Sequence, residues 1–166
     1  MKLAGIVFIV TSAGSVGFRI AASLRKRCIM LRQLLQALQL LRNEIAFCGT
    51  PLPQAFALMA ASCNGVLEKI FTAVAKEMDK QHWVTPLAAM EHGVHEGKEV
   101  LVEPILLELA AKLGKYDLDA QLQAIETARH RTEELLFQME QERSNKSRTY
   151  ETLGVCAGLA VAILLI

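Results

Sequence analysis

A chain of 166 residues is long enough for one domain with its own core. Its 52% hydrophobic residues with only 5% aromatics, and a mean hydropathy of +0.30, exceed what the interior of a soluble body of that size needs. Eighteen Lys and Arg against seventeen Asp and Glu leave a formal net charge of +1, which disfavours a nucleic-acid binder relying on bulk phosphate attraction. Disorder is excluded by the same aliphatic content. Ten Gly and four Pro in a Leu-, Ala-, Glu- and Gln-rich chain predict helices, because those side chains lose little rotamer freedom in a helix and breakers are few. The fold class is therefore all-α, with membrane-embedded parts.

The first element is apolar. Leu3 to Phe18 carries no charge, and after Arg19 the apolar character resumes through Ile20 to Leu24. Residues 1–24 are long enough to cross a bilayer, with Arg19 snorkelling toward one surface. A cleaved signal peptide is the rival reading, but it carries its positive charge ahead of the apolar core. Here Arg19, Arg25, Lys26, Arg27 and Arg32 follow it. At the other end Arg143, Lys146 and Arg148 precede the uncharged run Leu153 to Ile166. Fourteen residues make roughly 21 Å of helix, short of a ~30 Å hydrocarbon core, so the second anchor, 149–166, is short or shallow. No acidic residue precedes Glu44, and the basic residues beside both anchors place the intervening 25–148 in the cytoplasm with both termini across the membrane.

Within the central region, Leu31, Leu34, Leu38, Leu41 and Ile45 recur at spacings of three and four and predict a helix that Gly49 stops. Thr50-Pro51 predicts an N-cap with proline at the first helical position, opening a short helix with Leu52, Phe56, Met59 and Cys63 on one face. Asn64-Gly65 breaks the chain, and Leu67, Ile70, Phe71, Val74 and Met78 define a third helix ending near Gln81. Thr85-Pro86 opens a fourth, weakened by Gly93 and Gly97. Glu103-Pro104 opens a fifth, with Ile105, Leu109 and Leu113 inward and Gly114 as its stop. Asp117 or Asp119 caps the last and longest, whose apolar stripe runs from Leu118 through Leu122, Ile125, Thr132, Leu135 and Leu136 to Met139. The result is a bundle of about six helices flanked by N- and C-terminal transmembrane helices.

Chemistry is sparse. Cys28, Cys48, Cys63 and Cys156 contain no C-x-x-C pair and read as packing residues in a reducing compartment, without disulfides. His92 and His95 are spaced to share a helical face, yet two glycines and the lack of a zincin spacing favour a solvated polar loop over a metal site. Thr50-Pro51-Leu52 and Thr85-Pro86-Leu87 suggest an ankyrin period without a third copy, so they read as one helix-start chemistry used twice. No phosphate loop, nucleophile elbow or dinucleotide fingerprint occurs. The expectation is a non-enzyme with no catalytic, cofactor-binding or metal residues. Two features point to partners instead. Glu96, Glu99 and Glu103 form an acidic stripe fit for a basic partner. Gly154, Gly158 and Ala162 in one anchor, and Ala13, Gly17 and Ala21 in the other, are small-residue ladders fit for helix packing in a membrane.

Taken together, the chain resembles the stage III sporulation protein AB family of endospore-forming bacteria. The resemblance rests on the apolar N-terminus, the leucine-rich run Arg32 to Phe56 with its Gly49-Thr50-Pro51-Leu52 turn, the segment Lys112 to Ala128, and the closing Tyr150 to Ile166. It implies a subunit of a mother-cell complex in the outer forespore membrane. The helical domain of this family is similar to the cytoplasmic domains of type II secretion and type IV pilus platform proteins. The resemblance further implies a cytosolic motor ATPase and other stage III sporulation membrane proteins as partners and no catalytic residues; the expected partners also include a second copy of the chain, as a homo-oligomer, and no nucleic acid. A membrane-tethered adaptor or signalling bundle without a motor is the alternative.

Overall fold

The structure is a computed structural model that describes the backbone of residues 2–80 and 84–165 and the side chains of 22–80, 84–142 and 144. Among the described residues there is no strand. In chain order come α1 (Lys2–Asn43), a wider π-helical turn (Glu44–Cys48), α2 (Leu52–Ser62), α3 (Val66–Lys80), α4 (Pro86–Gly97), α5 (Glu103–Lys112) and α6 (Leu118–Leu165). The chain divides into two compact units. One is Met30–Leu136; the other consists of the two ends, Met1–Ile29 with Phe137–Ile166.

No helix among the described residues is long and apolar enough to cross a membrane. The flanking transmembrane helices expected at 1–24 and 149–166 thus find no support there. The side chains of 1–21 and 145–166, which include Ala13, Gly17, Ala21, Gly154, Gly158, Ala162 and Cys156, lie outside the described residues. In the described part of the terminal unit, Leu24 and Cys28 are buried while Arg25, Lys26 and Arg27 are exposed.

The body, Met30–Leu136, is built from hairpins of short helices against α1 and α6. Its fully buried side chains are mostly aliphatic: Leu31, Leu34, Leu38 and Leu41 from α1, Met59 from α2, Leu67 and Ile70 from α3, Met90 from α4, Leu106 and Leu109 from α5. Each contributes about 1.5–3 kcal/mol by leaving water. Phe56 and Phe71 stack across the α2–α3 pair with ring centroids 6.4 Å apart. The Cys63 thiol lies 3.9 Å from the Gln33 carbonyl, so the end of α2 returns alongside the last third of α1.

The α3–α4 pair meets more closely than ordinary side chains allow. A Cβ on Gly93 would stand 2.8 Å from the Ile70 carbonyl oxygen, and one on Gly97 would stand 2.5 Å from Ile70 Cγ1. The glycines expected to weaken α4 are what lets it seat on α3. His92 and His95 belong to this helix and point outward, so the polar loop expected there is an exposed helical face.

The two Thr-Pro-Leu helix starts differ. The Thr85 hydroxyl accepts from the Ala88 N–H at 3.3 Å, an ordinary N-cap. Thr50 caps nothing; its hydroxyl donates to the Glu44 carboxylate, and α2 starts from Pro51 without a side-chain cap. On α6 the inward stripe is narrower than the sequence pattern: Ala124, Ile125, Ala128 and Thr132 are buried, Leu122, Leu135, Leu136 and Met139 half-buried, and Leu118 exposed. Two of those four buried residues are alanines, a role that hydropathy spacing alone underrates.

Candidate interaction surface

Among the described residues Thr132 is the single buried polar side chain, and its hydroxyl donates to the Ala128 carbonyl at 2.7 Å. No group of three or more His, Cys, Asp or Glu among them is placed to hold a metal ion. The polar chemistry of the body is therefore a matter of its surface.

One surface feature is the tie between α1 and α6. Arg42 Nε lies 3.0 Å from Glu126, whose other oxygen takes Arg129 Nε at 2.8 Å; Arg129 also reaches Glu133 at 3.4 Å. Arg42 Nε is shielded from solvent and makes no directed hydrogen bond, so its link to Glu126 is a charge pair only. A second tie joins α6 to α5, where Arg131 meets the Glu108 carboxylate that Lys112 approaches at 3.5 Å. Ile105, Leu109, Ala124, Thr127 and Ala128 line the crease beneath it.

The acidic stripe does not lie on one helix. Glu96 closes α4, Lys98 turns the chain with φ +53°, Glu99 sits in the link, and Glu103 opens α5. The link nevertheless gathers them: Glu96 is exposed, Glu99 and Glu103 are half-exposed, and Val100 between them is 76% exposed. The Glu99 carboxylate accepts the Leu101 N–H at 3.1 Å, which shapes the link locally. Glu108, by contrast, is engaged by Arg131 and Lys112.

Two surface features escaped the sequence reading. Ile45 to Leu67 is a run of 23 residues without a charge, and α2 within it shows Gln54, Ala57, Leu58, Ala61 and Ser62 outward. The absence of charge over that length was legible in the sequence. At the end of the body where Gly114 abuts Leu52 and Pro86, the turn residue Tyr116 and Leu118, which opens α6, are exposed; Phe47, in the π-turn before α2, is also exposed, at 79%. No periodicity marks Tyr116 and Phe47, because they belong to the joins between helices; Leu118 begins the stripe expected on α6 but faces outward.

Cys48 is an exposed free thiol, whereas Cys28 and Cys63 are buried and free. Burial pushes the Cys63 thiol above its ordinary value of 9.0, against a lowering hydrogen bond from Ser62 and with a smaller raising effect from Glu68.

Comparison with known proteins agrees with this architecture. A family model described as stage III sporulation protein AB matches residues 2–166. Stage III sporulation protein AB of Bacillus subtilis (strain 168) is 29% identical over 170 residues, covering 99% of each chain. A solved structure of a stage III sporulation protein AB superposes with a TM-score of 0.66 at 25% identity, covering 72% of this chain and 98% of that one. An end-to-end sequence match together with a shared helical body establishes that the chain belongs to the stage III sporulation protein AB family.

Proposed function

We propose that this chain is a non-enzymatic platform subunit of a sporulation complex related to secretion machinery, in which it couples a cytosolic motor ATPase to a membrane assembly. Family membership supports a role in sporulation. The coupling reading rests on one observation above all: α1 and α6 each continue without a break from the body into an apolar end of the chain, and within the body they are tied by Arg42 and Glu126. A displacement of the body then has a direct helical route to both ends. The apolar ends act as membrane anchors in the outer forespore membrane, the basic residues after the first hold the body on the cytoplasmic side, and the ladders Ala13/Gly17/Ala21 and Gly154/Gly158/Ala162 pack anchors together, within one copy or between copies.

The acidic link Glu96, Glu99 and Glu103, with Val100 exposed among it, is the surface we assign to the ATPase or to another stage III sporulation membrane protein. Exposed charges of this kind steer association and set its salt dependence. Affinity capture of the intact protein from solubilised sporulating-cell membranes tests both parts. Recovery of an ATPase with the wild-type chain, and several-fold less with Glu96→Lys, Glu99→Lys and Glu103→Lys combined, is the expected result. Undiminished recovery with the triple variant removes the link from the contact; no ATPase with the wild type removes the motor.

A further inference from the structure

We infer that the join between α1 and α2, residues 44–50, is a conformational latch: Glu44 closes it on Thr50, and it opens locally around Phe47 and Cys48 while the leucine face of α1 stays packed in the body. Glu44 makes the hydrogen bonds that close the join onto Thr50. Its carbonyl accepts the N–H groups of both Gly49 and Thr50, the latter at 3.2 Å, and its carboxylate accepts the Thr50 hydroxyl. The π-turn it closes contains no buried residue, and Phe47 and Cys48 within it are exposed. Gly49, at φ +62°, has nothing within 4 Å of where a side chain would begin. A turn closed by one residue's hydrogen bonds, with no fully buried side chain and, of its apolar residues, only Ile45 and Ala46 half-buried, belongs to the low-stability end of a fold, where local opening occurs independently of global unfolding. Single π-turns at the end of a helix are also where an extra residue is stored. Rewinding this one as α-helix would swing Phe47 and Gly49 by about one residue's rotation, roughly 100°.

The other join between a long helix and the short ones is built the opposite way. Between α5 and α6, a Cβ on Gly114 would meet Leu52 Cδ1 at 3.1 Å and Pro86 Cγ at 3.6 Å. Gln121 then staples the turn, accepting the Gly114 N–H at 3.1 Å and donating to the Tyr116 carbonyl at 2.8 Å. Of the two joins, the one before α6 is packed and stapled, and the one after α1 is closed by hydrogen bonds alone. A device of this kind serves the coupling function proposed above, but its opening is measurable with no partner present, so the latch and the motor reading stand or fall separately.

Hydrogen exchange followed by mass spectrometry on the full-length protein in detergent micelles, using peptic peptides, tests it. In the wild type, amides of 44–50 are expected to exchange by local opening, faster than those of the α5–α6 turn; equal or slower exchange overturns the latch. Thr50→Val removes the hydroxyl at nearly constant shape and should speed exchange across 44–50 by about two- to tenfold, the equivalent of one hydrogen bond. The α3 and α5–α6 peptides should be unchanged, and Thr50→Ser should behave as wild type. No change in Thr50→Val, or an increase spread evenly over the body, overturns the proposal.

Discussion

Gly93 and Gly97 show how a residue that looks like a weakness can be a requirement. Alanine would add about 1 kcal/mol of helix propensity at either position, but overpacking typically costs about 1–3 kcal/mol and here the obstacle is close. At Gly93 the obstacles are the Ile70 backbone carbonyl and Val74 Cγ2, both at 2.8 Å; at Gly97 the obstacle is Ile70 Cγ1 at 2.5 Å, which the stiff χ1 of a β-branched side chain in a helix holds in place. Gly93→Ala and Gly97→Ala are therefore each expected to destabilise the body by about 1–2 kcal/mol, with the loss from the second smaller in an Ile70→Ala background, which removes Cγ1, all read as shifts in denaturant midpoint. Cys63 makes a prediction of its own. Because its thiol is raised in the folded state, the neutral form is favoured there: the associated stability is fully present below the ordinary thiol value of 9.0 and is lost as pH rises past it through the folded value. Unfolding midpoints should thus fall above about pH 9, and Cys63→Ala should flatten that part of the profile. At neutral pH an alkylating reagent should reach Cys48 well before Cys63.

At the scale of the helix, burial and charge contribute unequally. Leu38, fully buried on α1, should cost about 2–5 kcal/mol on replacement by Ala, measured by chemical denaturation. Arg42→Met should cost no more than about 1 kcal/mol at low salt and less at 1 M, because the pair with Glu126 is partly exposed and lacks a directed hydrogen bond. The helices themselves were legible in the sequence wherever large aliphatics recur at helical spacing: Leu31 through Leu41, and Leu67 through Val74, fall on the inward faces that their spacing predicts. Legibility failed where identity depends on a neighbour distant in the chain. Nothing local distinguishes Thr85, which caps its helix, from Thr50, whose hydroxyl was taken by a carboxylate six residues upstream. Nor does spacing reveal that Ala124 and Ala128 on α6 are buried while Leu118 is not. The acidic stripe was visible as composition, but Lys98 in a left-handed conformation divides it between two helices and a link.

For the whole molecule, the sequence conveyed a helical body between two apolar ends, and the family match extends over both ends as well as the body. Should those ends anchor the chain, the full-length protein must sediment with membranes after detergent-free lysis and resist extraction by high salt, since lipid burial is insensitive to ionic screening. Recovery in the supernatant would refute the anchors while leaving the body's architecture intact. The charge-free run that contains α2 has a practical corollary for anyone digesting this protein. Trypsin finds no site between Arg42 and Lys69, so the join and the whole of α2 leave as one peptide whatever their conformation. A protease that cuts after aromatic residues meets Phe47 on the open π-turn, while Phe56 and Phe71 are sealed in the core. The same segment is silent to one enzyme and open to the other, so a cut after Phe47, told apart by mass from cuts at the exposed Tyr116 and Phe137, reports on that corner of the molecule without any labelling.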